Sequence, residues 1–170
     1  QASHDELVPA EPEPARFDRG RDRITLDDLE NPPEPRTFIV DGRLPQDAGT
    51  LTGPGGGQKT TLSLWESVHI TLGRPLYGQE ILKPGATLIL SGEDERRKLM
   101  WRLSKIVEAM DLTRGEMERV AERIYIPDLS DMRLRLVEAD ARGNLSFTTV
   151  IDEIIAEYHD AGISLVVFDP

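Results

Sequence analysis

Cysteine is missing from all 170 residues. That excludes disulfide-stapled secreted scaffolds and thiolate-ligated zinc domains, since neither can be built without thiols. Long apolar runs are missing too: no stretch approaches the ~18 apolar residues that a membrane-spanning helix needs. Gln1-Ala2-Ser3-His4-Asp5-Glu6 has neither a basic nor an apolar segment, so no signal peptide is read there, and a cytoplasmic location is expected. Positive charge is scarce. Twenty Lys and Arg face 31 Asp and Glu, a formal net charge of −11. This argues against a surface whose main task is coating nucleic acid, although a local basic loop remains compatible with it.

What is present is unevenly distributed. Residues 1–35 carry ten carboxylates and four arginines and are rich in proline, as in Glu11-Pro12-Glu13-Pro14 and Asn31-Pro32-Pro33-Glu34-Pro35. Prolines there cannot continue a helix or donate to a sheet ladder. This segment reads as an acidic N-terminal arm, either a disordered leader or a strap on a neighbouring subunit, with one helical turn near Thr25–Leu29. A domain is expected over 36–170. Phe38-Ile39-Val40 and Thr50-Leu51-Thr52 are short strand candidates, the first followed by a turn at Asp41-Gly42. Leu62, Trp65, Val68, His69 and Leu72 recur at helical spacing, which predicts a helix from Lys59 to Leu72 that Gly73 and Pro75 stop.

Ala86–Leu90 predicts a strand buried on both faces. Ser91 is placed to cap the helix that follows, with Asp94 completing a capping box. That helix runs to about Met110 with Leu99, Leu103, Ile106, Val107 and Met110 as its apolar stripe. A polar helix over 114–122, a strand around Arg123–Ile126 and a hairpin of Met132–Glu138 with Leu145–Phe147 about Arg142-Gly143-Asn144 follow. Thr149–Ala161 reads as a helix, and Ile163–Phe168 as the strongest strand of the chain. Strands alternating with helices predict an α/β fold: a mostly parallel sheet with helices on both faces.

The chemistry gathers at the head of the Lys59 helix. Gly53-Pro54-Gly55-Gly56-Gly57-Gln58-Lys59-Thr60-Thr61 lies close to the phosphate-loop pattern G-x-x-x-x-G-K-[ST]. Phosphate oxygens need a concave ring of N–H donors that side chains would obstruct, and the helix N-terminus adds its positive dipole end. Lys59 supplies a cation for the β- and γ-phosphates, and the Thr60 hydroxyl a ligand for Mg²⁺. Gln58 departs from the pattern, standing where the last glycine belongs. If a positive φ is required there, it costs about 1 kcal/mol, which weakens nucleotide binding without abolishing it. Asp169, at the end of the last strand, fits the acidic metal station of such sites. Glu93, just past Ala86–Leu90, is placed to orient and deprotonate the attacking water. Asp94 beside it reads as a complement to the helix dipole.

Gly42-Arg43-Leu44-Pro45, the glycine loop, Leu72-Gly73-Arg74-Pro75-Leu76-Tyr77-Gly78, Leu90-Ser91-Gly92-Glu93-Asp94 and Val166-Val167-Phe168-Asp169-Pro170 together resemble a RecA-like P-loop ATPase. The resemblance is nearest to the plasmid and phage RepA-type helicases, related to DnaB and KaiC. It covers about Arg36 to Pro170. It implies ATP and Mg²⁺ as cofactors, a homo-oligomeric hexameric ring, single-stranded DNA as partner, and a motor role in replication. It places the phosphate contacts at Lys59 and Thr60, the catalytic glutamate at Glu93 and the metal-linked aspartate at Asp169. Members of that branch continue past the aspartate through further strands, so this chain is expected to be the N-terminal part of a longer protein, its sheet incomplete. The alternative expectation is a nucleotide-gated assembly or regulatory protein that binds ATP with weak or no hydrolysis.

Other residues read as structural. His69 is expected in or beside the core, and His4 and His159 lack a partner at metal-ligand spacing. Trp65 and Trp101 read as packing residues, with stacking on a base as the alternative. Arg96, Arg97 and Lys98 pair with Glu93, Asp94 and Glu95 on a solvated face. Tyr77 is a candidate for contact with an adenine.

Overall fold

Residues 17–54, 58–129, 136–139 and 143–169 are described by a computed structural model of the protein. The expected readings at Gly55, Gly56, Gly57, residues 132–135, Arg142 and Pro170 lie outside these described residues. The chain divides into two compact units, Gln1–Pro35 and Arg36–Pro170.

In the first unit, the Asp18 carboxylate accepts the N–H groups of Gly20 and Arg21 at 2.8 and 2.9 Å and closes a turn. The short helix α1 (Leu26–Glu30) follows, one residue later than the spacing predicted. Its start is fixed by a reciprocal cap: Thr25 Oγ1 accepts from Asp28 N, and the Asp28 carboxylate accepts from Thr25 N. Leu26 and Leu29 are exposed.

The second unit begins with β1 (Phe38–Val40) and β2 (Leu44–Pro45), an antiparallel pair around Asp41-Gly42. The expected strand at Thr50–Thr52 does not form; the backbone is irregular and exposed there. Its one large apolar side chain, Leu51, is 49% exposed, and such a gain cannot offset the entropy of ordering three residues without a partner strand. Helix α2 (Lys59–Leu72) has the expected bounds, ending at Gly73 with φ +66°. Its buried face differs from the expected stripe. Ser63, Leu64, Ser67, Val68, Ile70 and Thr71 are buried, while Trp65, Leu72 and His69 are half-buried. The helix is central: Leu64 and Val68 join one apolar cluster, Ile70 a second. Two serines on the buried face allow close approach, and Ser67 Oγ donates to Ser63 O at 2.7 Å.

Strand β3 (Ala86–Ser91) is buried at every position. Entry to it is reserved for glycine, because a Cβ on Gly85 would lie 2.1 Å from Ser164 Oγ and 2.8 Å from Gly162 O. Helices α3 (Arg96–Ala109) and α4 (Arg114–Arg123) lead to β4 (Ile124–Tyr125). The hairpin β5 (Val137–Ala139) with β6 (Leu145–Phe147), helix α5 (Val150–Tyr158) and β7 (Ile163–Asp169) complete the unit. Strands β4, β3 and β7 form a parallel sheet in that order. Ile89, Leu99, Leu103, Ile106, Val120 and Ile126 close over α2, with Val167 and Ile124 at the margin. Each fully buried aliphatic side chain stabilises the fold by roughly 1.5–3 kcal/mol. The arrangement is α/β, with α2, α3 and α4 gathered over the sheet face that carries Ile89 and Val167. Strand β7 is half-buried rather than enclosed; Val166 and Phe168, on the opposite face, are exposed.

The capping box expected at Ser91 is not the start of α3. Ser91 pairs with Asp169 in the sheet, and its hydroxyl accepts from Asp94 N at 3.1 Å as a turn. The ladder claims this backbone, so α3 starts only at Arg96, with Glu95 as an N-cap lacking a side-chain bond. A genuine capping box opens α4 instead, between Thr113 and Glu116. Arg74 Nη2 adds an ion pair at 2.6 Å to Glu116, joining the end of α2 to α4. The Thr113 N–H and hydroxyl, followed by Arg74, pull the Glu116 carboxyl from 4.5 down to about 2. Because the folded value is the lower one, this contribution is fully present above pH ~4.5 and is lost as pH falls towards ~2. Glu116→Gln is therefore expected to lower stability near neutral pH and to flatten the decline of stability between those pH values. Urea unfolding midpoints at pH 7, 4.5 and 3 would read both effects.

Candidate functional site

The carboxyl ends of β3 and β7 open onto a cleft of ≈ 710 Å³. Gln58, Lys59, Thr60, Thr61, Glu93 and Asp169 all line it, beside Asp94 and one face of α3. This is the crevice in which open parallel sheets bind ligands. Residues from three distant stretches of chain meet here because α2 starts, and β3 and β7 end, at the same edge of the sheet. Thr60 Oγ1, in the first turn of α2, donates to Asp169 Oδ2 at 2.7 Å. Gly92 N donates to Asp169 O at 2.8 Å, carrying the ladder one residue past β3 and setting Glu93 beside the strand end that bears Asp169. Glu93 itself is exposed to the cleft.

Lys59 is the first residue of α2, and its Nζ donates to the carbonyl oxygens of Gly53 and Pro54 at 3.3 and 3.4 Å. The ammonium thus lies under the start of the glycine segment. The other cations lining the cleft have carboxylate partners. Lys98 and Arg102 both bind Asp94, and Lys105 binds Glu108 at 2.7 Å. Lys98 first, then Arg102, holds the Asp94 carboxyl below its usual range against the opposing cost of burial. Asp94 thus anchors two cations just ahead of the start of α3.

Gln58 is the N-cap of α2 with φ +56° and ψ +26°, the left-handed conformation that glycine adopts without a Cβ penalty. Its carbonyl accepts the first helical bond, from Leu62 N at 2.9 Å, so the conformation is built into the helix start. Gln58→Gly is expected to relieve about 1 kcal/mol, raising the thermal midpoint by about 2–4 °C. Nucleotide affinity would strengthen by less than about tenfold. Calorimetry of unfolding and of ATP titration, wild type against variant, measures the two.

Tyr77 does not line this cleft. Its hydroxyl donates to Glu66 at 2.7 Å, its ring meets Trp65 edge-on at 5.3 Å, and the Arg43 guanidinium lies 3.7 Å over it. Burial, and then the bond to Glu66, push its hydroxyl up to about 12. His69 meets Trp65 edge-on at 4.4 Å with Nδ1 2.8 Å from Pro75 O, a structural position. Trp101, expected to pack, is 63% exposed and lines the cleft. Lys98, Trp101, Arg102, Lys105, Ile106 and Ala109, all on α3, are the cleft residues that the sequence reading did not place there. Their three- and four-residue spacing, on the flank of α3 beside the Leu99, Leu103 and Ile106 stripe, was the available signal.

A Thr hydroxyl and an Asp carboxylate meeting at 2.7 Å form a hard-oxygen pair suited to Mg²⁺, which retains waters and takes further oxygens from phosphates. No cluster of three or more His, Asp or Glu side chains fit to hold a metal exists among the described residues. No helix among them is long and apolar enough to cross a membrane.

Fold and cleft together define an α/β protein with a cleft at the carboxyl ends of parallel strands, at the head of a helix preceded in sequence by glycines. Residues 11–170 match the AAA domain family, and the chain belongs to it. It is an AAA-family, ATP-binding P-loop domain. No curated protein matches the chain.

Proposed function

We propose that this chain is the nucleotide-binding part of a Mg²⁺-dependent ATPase with a RecA-like sheet, of the RepA-type replicative helicase kind, with Gly53–Thr61, Glu93 and Asp169 as its site. The observation that carries the reading is the 2.7 Å bond from Thr60 to Asp169 beside Lys59, with Glu93 at the adjoining strand end. The head of α2 meets phosphate oxygens with its free N–H groups and positive dipole end, the role that the glycine pattern before it implies. Lys59 exchanges its two carbonyl partners for the β- and γ-phosphates. Glu93 orients a water and takes its proton as the oxygen attacks the γ-phosphorus. The bond to the β-phosphate oxygen breaks, releasing ADP and phosphate. Thr60 and Asp169 would hold Mg²⁺, which when bound neutralises charge on the phosphate oxygens. The oligomeric ring and single-stranded DNA as partner rest on the resemblance alone.

The strained φ of Gln58 favours a second reading, in which ATP binds and gates assembly with little turnover. Calorimetric titration with ATP and Mg²⁺, run beside a phosphate-release assay, separates the two. Binding with turnover supports the ATPase, binding with negligible turnover supports the gate, and no binding removes both.

A further inference from the structure

The two adjacent carboxylates after β3 stand in opposite circumstances. Glu93 is exposed to the cleft, and its side chain has no hydrogen bond or ion pair with another described residue. A base without partners is aimed only by the backbone that bears it, and a displacement of about 1 Å can cost about 10²-fold in rate. That backbone is pinned on both sides. Before Glu93, Gly92 N donates to Asp169 O at 2.8 Å. After it, Asp94 N donates to Ser91 Oγ at 3.1 Å. The Asp94 carboxylate is in turn gripped by α3: Lys98 Nζ donates to one oxygen and Arg102 Nη1 to the other. The Asp94 and Arg102 side chains are 10% and 25% exposed, so their pair escapes much of the screening that makes surface ion pairs weak. Helix α3 is itself tied to the sheet, since Arg96 Nε donates to Ile126 O, just past β4, at 2.8 Å. With both oxygens engaged, Asp94 is poorly placed to take a proton itself.

From this we infer that Asp94 is a positioning residue for the proposed hydrolysis: its grip on Lys98 and Arg102 holds the Gly92–Asp94 turn so that Glu93 faces the attacking water. The inference rests on the proposed ATPase reading and adds to it what aims the base. A clamp that served stability alone would not act through Glu93.

The test is a double-mutant cycle on the full chain with Asp94→Asn, Glu93→Gln and the pair together. Single-turnover hydrolysis at saturating ATP and Mg²⁺ reads the chemistry, and calorimetric titration reads ATP affinity. Asparagine keeps the shape of Asp94 and its N–H bond to Ser91 but loses the charge that holds two cations. The expected result is a loss of turnover of about ten- to a hundredfold, with ATP affinity within a few-fold of wild type. In the Glu93→Gln background the same change should cost nothing further, because no base is left to aim. Arg102→Met, which loosens the grip from the α3 side, should reproduce the loss, and Arg102→Lys should restore most of the rate. This second pair carries the test if Asp94→Asn does not fold. Wild-type turnover in Asp94→Asn and Arg102→Met, or an equal loss with and without Glu93, overturns the inference and leaves Glu93 as the base. If wild type does not hydrolyse ATP, or Glu93→Gln matches it, the ATPase reading fails and takes the inference with it.

Discussion

Lys59→Ala is expected to lower ATP turnover by about 10²–10³-fold, the usual cost of removing one preorganised group from a developing negative charge. The ammonium sits at the head of α2, and its hydrogen bonds go to two loop carbonyls that phosphate oxygens can readily replace. A methyl group there leaves the N–H groups at the head of α2 in place, so some affinity is expected to survive while charge neutralisation at the γ-phosphate is lost. The substitution removes only two long bonds to exposed carbonyls, and its effect on stability is expected within about 0.5 kcal/mol. Phosphate release and the thermal midpoint, measured on the same preparation, check both halves. An unchanged rate would withdraw Lys59 from the reaction.

Glu93→Gln should separate binding from chemistry. The amide keeps the shape of the carboxylate and its place beside Asp169, but it cannot accept the proton of the attacking water. ATP affinity is expected to stay within a few-fold of wild type, and turnover to fall by about 10²–10⁴. Glu93 is exposed and lies beyond the last ladder bond of β3, so the fold does not depend on its charge. The measurement is single-turnover hydrolysis with ATP in excess of its dissociation constant. A variant that hydrolyses at the parent rate would move the general base elsewhere, and Asp169 would be the next residue to replace.

Much of this site could be read in the sequence because its signals are local. Lys59 and Gly73 bound α2 through helix-end chemistry, and the apolar density of Ala86–Leu90 and Ile163–Phe168 marks β3 and β7. The positive φ considered for Gln58 is found at +56°. What could not be read depends on tertiary choices. Ser91 has the right spacing for a capping box, yet its backbone belongs to the ladder with Asp169, and α3 waits until Arg96. The apolar stripe of α2 predicts one buried side, whereas two clusters enclose the helix and bury Ser63 and Ser67 as well. Thr50–Thr52 has strand propensity and no strand to pair with. Trp101 is different. It lies about 200° around α3 from Leu99, so the periodicity that identified the core stripe already set it on the opposite side, and only its aromatic character suggested packing.

The hydroxyl and carboxylate that meet at 2.7 Å belong to residues 109 positions apart in sequence. A chain emerging from the ribosome has its glycine loop and lysine long before it has Asp169, and that pair can close only when β7 docks beside β3. Such a long-separation contact comes late, because loop-closure entropy opposes it until neighbouring strands reward it. A nascent chain that stops short of β7 therefore has Thr60 at the head of α2 without its acidic partner. The bond between Thr60 and Asp169 is therefore acquired with the docking of β7, which makes it a marker of that step in folding.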